Sequence, residues 1–289
     1  MKYLVVKGWL GFGDRLESLK MAVRYALDNN LQIYVDWSDE MWSHGDENFY
    51  TYFNLINMPV LRSLDDIPAD ATIYPEYWKD HLKESLTTDH IVRGKELKLD
   101  LGVLKGEYPA DVIVFSSIGY RTLYPDSTFF ANVFRVVDSR ILTKLRQRRA
   151  KYPIEQSWGI HIRGTDRLRK NKRTISVQSI ISLITCYGGM NGLKMTVVSD
   201  DKENIEIWKR YYPESFVVSE LSIQQSSIAG NHNLSKDKLS ATKDEMNVDA
   251  LTDFFTLALT QRIFTTCKDS RFTQEARRLH PVVKTILGE

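Results

Sequence analysis

The chain is poor in cysteine, with Cys186 and Cys267 its only two in 289 residues. Two thiols so far apart exclude a disulfide framework and a CxxC metal half-site. Both sit among apolar neighbours and read as inert core thiols. Net charge is also scarce. The formal value of +2 is too small to argue for nucleic acid as the main partner. No apolar run approaches the roughly 18 residues that a membrane span needs. The N-terminus enters a strand-like run, Tyr3-Leu-Val-Val6, without the charged, apolar and small-residue regions of a signal peptide. Internal repeats and low-complexity tracts are missing too. The expectation is a soluble, reduced, cytoplasmic protein.

What remains is ordinary globular material, 43% apolar and 26% charged. The length suits two domains or one large α/β domain. Strand and helix signals alternate. Residues 2–7 read as a strand, 14–29 as a helix with Leu16, Leu19, Val23, Ala26 and Leu27 on one face, and 31–35 as a strand. That βαβ unit implies a parallel sheet. Residues 37–105 are irregular and aromatic, and most of their rings read as core. Residues 112–116 form a buried strand, and 138–150 a charged helix closed by Tyr152-Pro153. We place the domain boundary there, giving domains 1–152 and 153–289. The second half restarts with a strand at 158–162, a helix at 176–187, a strand at 194–199, a helix at 201–211 and a short strand at 215–218. A polar loop over 222–244 follows. Then come a helix at 249–260, a strand at 262–266 and a helix from 270 to 279 opened by a Ser N-cap. Two α/β halves facing a crevice are expected, the architecture of nucleotide-sugar enzymes.

The richest polar cluster follows the apolar alternation Trp158, Ile160, Ile162. It holds His161, Arg163, Thr165, Asp166 and Arg167. A buried strand ending in such a cluster delivers it to the carboxyl edge of the sheet, where open α/β sheets bind ligands. Two guanidiniums suit a polyanion, because the planar fork matches phosphate oxygens. His161 and Arg163, two residues apart, are expected to leave the same side of the strand. The plain alternative is a strand end with an ordinary ion pair.

Three further segments carry weaker signals. Gly8-Trp-Leu-Gly11-Phe12-Gly13-Asp14-Arg15 between the first strand and helix gives a sharp turn and a helix N-terminus open to an anion. It invites a dinucleotide reading with Asp36 as the ribose acid. However, Leu16 stands where the third glycine belongs, and no P-loop Lys-Ser/Thr pair is present. Ser199-Asp200-Asp201 reads as a metal pair or, for Asp201, as a helix N-cap. Asp249, Asp253 and the turn Thr266-Cys-Lys268-Asp269-Ser270 read as an anion site or as simple capping.

Taken together, these motifs resemble the GDP-fucose-dependent fucosyltransferases of the rhizobial nodulation and α-1,6 type. The resemblance rests on Gly11-Phe-Gly-Asp14, on Ile33-Tyr-Val-Asp-Trp37 and on His161-Ile-Arg-Gly-Thr-Asp-Arg167. It continues through Ser199-Asp-Asp201 with Trp208 to Pro213 behind it, then Asp253 and the Thr266 to Ser270 turn, all in the family's order. It implies a GT-B-like architecture of two Rossmann-like domains, the first on the acceptor side and the second binding the nucleotide sugar. It also implies inverting transfer, without a metal or cofactor, from a GDP-sugar (most often GDP-fucose) to a glycan hydroxyl. His161 and Asp253 are implied to contact guanine, Arg163 to clamp the β-phosphate, Arg167 to lie near phosphate or sugar, and Ser270 to meet the diphosphate with Lys268 beside it. Gly11, Phe12 and Gly13 line the donor side, and Asp14 or Glu17 is a candidate base. The chain departs from the family at Gly164, where a second arginine is usual. Lys268 and Asp269 replace serines, and Asn171 stands where some members carry an acid. The rival readings are an NAD-dependent oxidoreductase and a non-catalytic nucleotide-sugar or glycan-binding protein.

Overall fold

The computed structural model describes residues 2–99, 104, 106–116, 127–164, 176–186, 192–224 and 236–289, with only the backbone of Leu183, Cys186 and Gln224. The chain divides into two compact units, Met1–Asp138 with Thr285–Glu289, and Ser139–Lys284. The division falls before the charged helix rather than after it at residue 152, and the last five residues group with the first unit. The physical reason is the partner of that helix. Helix α5 (Ser139–Lys151) buries Ile141, Leu145 and Arg148 against a long helix of the second unit.

In the first unit, β1 (Tyr3–Lys7) leads into α1 (Phe12–Asp28), and the chain returns in β2 (Gln32–Asp36). Short pieces follow: α2 (Phe49–Tyr52), β3 (Phe53–Leu55), β4 (Ile73–Tyr74) and α3 (Thr88–Val92). Then come β5 (Val112–Ser116), α4 (Thr128–Val133) and β6 (Phe134–Val136). The sheet runs β2-β1-β5-β4 with every pairing parallel, while β3 and β6 form a separate antiparallel pair. Of these, β3, β4 and β6 are the strands that the sequence did not announce; two or three residues are too few to show a period.

Trp37, Trp42, Phe49, Tyr52, Phe53 and Trp78 are buried, so these aromatics are core. Arg15 and Lys7 are among the cations buried in this unit. Arg15 makes a two-pronged ion pair with Asp39 at 2.8 and 2.7 Å, donates to the Leu10 carbonyl, and lies over the rings of Trp37 and Trp42. Gly8 makes room for this: a Cβ there would come within 2.1 Å of the Arg15 guanidinium and 2.3 Å of the Trp37 ring. Lys7 donates to Asp36 and to the Leu82 and Glu84 carbonyls, which uses all three of its N–H bonds. Burial holds its pKa below the usual lysine range.

The second unit continues after α5 with β7 (Trp158–Ile162), α6 (Val177–Cys186), β8 (Met195–Ser199), α7 (Lys202–Tyr211) and β9 (Phe216–Val217). It closes with α8 (Leu221–Gln224), α9 (Lys243–Leu259), β10 (Arg262–Thr265) and α10 (Arg271–Leu279). All strand pairings are parallel, in the order β10-β7-β8-β9. Counting strands within the unit, this is the doubly wound order 3-2-1-4, so the direction of winding reverses between β7 and β10. Helix α9 begins six residues before the expected 249. Thr242 caps it, accepting from the Glu245 N–H, while Glu245 accepts from the Thr242 N–H in return.

Candidate functional site

The site grows from the carboxyl edge of the second sheet, at the reversal between β7 and β10, where such sheets present a crevice to ligands. Strand β7 is apolar along Ile160 and Ile162 because it is central and covered on both faces. The register pairs Ile162 with Ser199 of β8 and His161 with Thr265 of β10. Residues just beyond the strand ends are therefore brought side by side: Arg163 and Gly164, Asp200 and Asp201, and Thr266.

Among the described residues, Arg163 is held by Asp200 and Thr266. Its Nη1 lies 2.6 Å from Asp200 Oδ2, and its backbone N–H donates to Thr266 Oγ1 at 2.8 Å. Asp200 Oδ1 accepts the Gly164 N–H at 2.8 Å. One carboxylate thus fastens both the side chain and the loop of the arginine. Gly164 is required by this approach, since a Cβ would fall 1.9 Å from Asp201 Oδ2. Asp201 itself caps α7, accepting the Asn204 N–H and the Asn204 side-chain amide. Of the two readings of Ser199-Asp-Asp201, the cap is the one observed for Asp201.

His161 has other partners. Its Nδ1 is hydrogen-bonded to Thr273 Oγ1 at 2.6 Å, with Thr265 Oγ1 at 3.3 Å and the Phe272 ring alongside. Burial, and then the nearby Arg163 cation, push its pKa down to about 4. The imidazole is therefore neutral at pH 7. His161 and Arg163 have different hydrogen-bonding partners, and β7 ends at Ile162 between them.

Ser270 is the N-cap of α10 and accepts from the Thr273 N–H. The first-turn N–H groups of that helix have no intrahelical acceptor by construction, so its start favours an anion. Lys268 is exposed in the preceding turn. Asp253 lies deeper, on α9. Its Oδ1 receives Arg148 Nη1 at 2.8 Å and its Oδ2 the Ser219 hydroxyl. Ser219 also accepts the Ser199 N–H, which ties this network to the end of β8. Burial raises the Asp253 carboxyl to about 7, against the pull of Arg148. The role of Arg148 was missed. In the sequence it reads as one more charge of a charged helix, yet Arg148 is buried and also reaches the Val218 carbonyl and the Thr256 hydroxyl. Arg148 shares the buried side of α5 with Ile141 and Leu145 at helical spacing, and that was the available signal.

The remaining candidates sit elsewhere. Arg167, Thr165, Asp166 and Asn171 lie outside the described residues. Gly11, Phe12, Gly13 and Asp14 belong to the first unit. Gly11 is the N-cap of α1 and makes no side-chain cap bond; Asp14 stands in the first turn, where its charge suits the helix end. Phe12 is 7% exposed and stacks on Trp42 and Phe53, so its ring is packed in the aromatic core. Glu17 is buried. Asp36 holds Lys7 at 2.6 Å and accepts from the Ser38 N–H and hydroxyl, which occupies the acid that the dinucleotide reading assigned to ribose.

No family model matches the chain, and no curated protein matches it in sequence. Solved structures do match over nearly its whole length. A fucosyltransferase NodZ from Bradyrhizobium is 17% identical, covers 96% of this chain and 93% of its own, and superposes with a TM-score of 0.68. A NodZ alpha-1,6-fucosyltransferase soaked with GDP-fucose is 18% identical over 97% of this chain and 94% of its own, TM-score 0.68. POFUT1 in complex with GDP-fucose is 14% identical over 96% and 94%, TM-score 0.55. The chain has the fold of these GT-B-like fucosyltransferases.

Proposed function

We propose that the chain is a glycosyltransferase that moves a sugar, fucose from GDP-fucose, onto a glycan hydroxyl with inversion. The acceptor oxygen attacks C1 from the face opposite the diphosphate. The C1–O bond to the β-phosphate breaks, GDP departs with that oxygen, and the acceptor hydroxyl gives up its proton to water as the new bond forms. Arg163 meets the charge that develops there, aided by the N-terminal turn of α10 behind Ser270, with Lys268 and Arg167 as further cations. His161 is the neutral hydrogen-bonding partner for the base. For Asp253 to join it, guanine would have to displace the Ser219 hydroxyl.

The observation that carries the reading is the guanidinium of Arg163 at the winding reversal of a doubly wound sheet. It is supported by whole-length likeness to structures holding GDP-fucose. The NAD-dependent alternative loses its support with Asp36 held by Lys7 and Ser38.

Fixed cations supply the charge that a divalent ion would otherwise bring. Both Asp200 and Asp201 are committed within the protein, so transfer is proposed to be metal-independent. The test combines calorimetry with turnover. GDP should bind in preference to UDP, ADP and NAD, and transfer or hydrolysis of GDP-fucose should survive excess chelator. Tighter binding of UDP or NAD overturns the donor assignment. Activity lost to chelator and restored by Mn²⁺ or Mg²⁺ overturns metal independence.

A further inference from the structure

The donor site contains an acid where an anion is to be bound. Asp200 Oδ2 lies 2.6 Å from Arg163 Nη1, and Oδ1 accepts the Gly164 N–H at 2.8 Å. The carboxylate cannot swing away cheaply. The β7–β8 register sets its backbone beside the end of β7, and both of its oxygens already accept, from Arg163 and from the Gly164 N–H. Its side chain is 8% exposed, so its charge is little screened by solvent.

We infer that Asp200 sets the charge of the Arg163 clamp so that the product GDP is released, while the sugar donor is held. This inference rests on the function proposed above. The chemistry is asymmetric between donor and product. In a GDP-sugar the β-phosphate is a diester-like group carrying one negative charge. After transfer its terminal oxygen is free, and above a pKa near 6 it carries close to two. A fixed carboxylate against the clamp therefore opposes the product more than the donor. A clamp with no counter-charge would do the reverse. It would bind GDP more tightly than the donor, and turnover would wait on release. Asp200 acts here through charge and position, without touching the reacting atoms.

The experiment measures Kd for GDP and for GDP-fucose by calorimetry at pH 8 in the parent, Asp200→Asn and Asp200→Ser. Asparagine keeps an Oδ1 acceptor for the Gly164 N–H, and serine, one bond shorter, removes the amide that would face Arg163 if the asparagine variant misfolds; a melting curve accompanies each variant. In both variants GDP should tighten at least about tenfold, the order expected for one unit charge removed at roughly 10 Å with an effective dielectric near 20. GDP-fucose should tighten less, GDP should become a stronger product inhibitor, and the GDP gain should shrink as salt is raised. Equal tightening of both ligands overturns the inference. So does unchanged or weakened GDP binding, which would make Asp200 only a strut for Arg163. A parent that binds no GDP overturns the functional reading itself, a result distinct from either.

Discussion

At the scale of single residues, the site is a set of committed groups. Arg163 is already oriented by Asp200, so its fork is preorganised for a second anion. Arg163→Lys keeps the charge but replaces the fork with a point charge. Its kcat/KM for the donor should fall by about 10²–10³, with melting little changed and some GDP affinity retained. Arg163→Ala should be worse. If Arg163→Ala turns over within a few-fold of the parent, the arginine is only the ion-pair partner of Asp200.

His161 supplies a pH prediction. Its folded pKa of about 4 lies below the ordinary value of 6.5, because burial disfavours the cation. Between those values the unfolded chain binds the extra proton and the folded chain does not. Stability from this group is thus complete above 6.5 and is lost as pH falls toward 4. The full loss amounts to roughly 3 kcal/mol. Asp253, with its carboxyl raised by burial, works in the opposite sense. The measurement is therefore the difference between parent and His161→Gln, followed by urea unfolding from pH 7.5 to 4.5. The variant should show a flatter acid limb; identical limbs would contradict a buried neutral histidine.

At the scale of elements, the strand-to-helix turns carry the construction. In the first unit, Arg15 on α1 reaches back to the Leu10 carbonyl, and Leu10 sits at φ 66, a left-handed conformation that costs a non-glycine residue energy. The guanidinium holds that turn and neutralises Asp39 at the same time. Arg15→Ala should cost about 3–5 kcal/mol, because it leaves a buried carboxylate uncompensated. Adding Asp39→Ala should recover part of that loss, and a double-mutant cycle in urea reads the coupling. Independent, additive losses would show that the pair is not the structural clamp of this turn.

At the scale of the molecule, each unit has its own parallel sheet and core, and the candidate donor residues that cluster lie in the second. A ligand that binds only the folded state stabilises it by mass action, so GDP at 100 times its Kd should add about 2.7 kcal/mol. A thermal melt should show that shift with GDP and none with NAD at equal concentration. A shift with NAD alone would restore the dinucleotide reading.

The sequence by itself determined the α/β alternation, the parallel sheets, and the order of polar clusters at the strand ends. Hydrophobic period and local turn chemistry are written in neighbouring residues, as at Trp158 to Ile162 and the Ser270 cap. It also held a signal that went unread, the Thr242 to Glu245 capping box that starts α9 early. Only the tertiary structure decided who partners whom. Arg163 meets Asp200, 37 residues away, and Arg148 meets Asp253, 105 residues away. Lys7 takes Asp36, and Arg15 takes Asp39. A carboxylate reads the same in a sequence whether it caps a helix, neutralises a buried cation or faces solvent. Strand register and burial choose among these roles, because a charge removed from water must find its counter-charge wherever the packed chain has brought one.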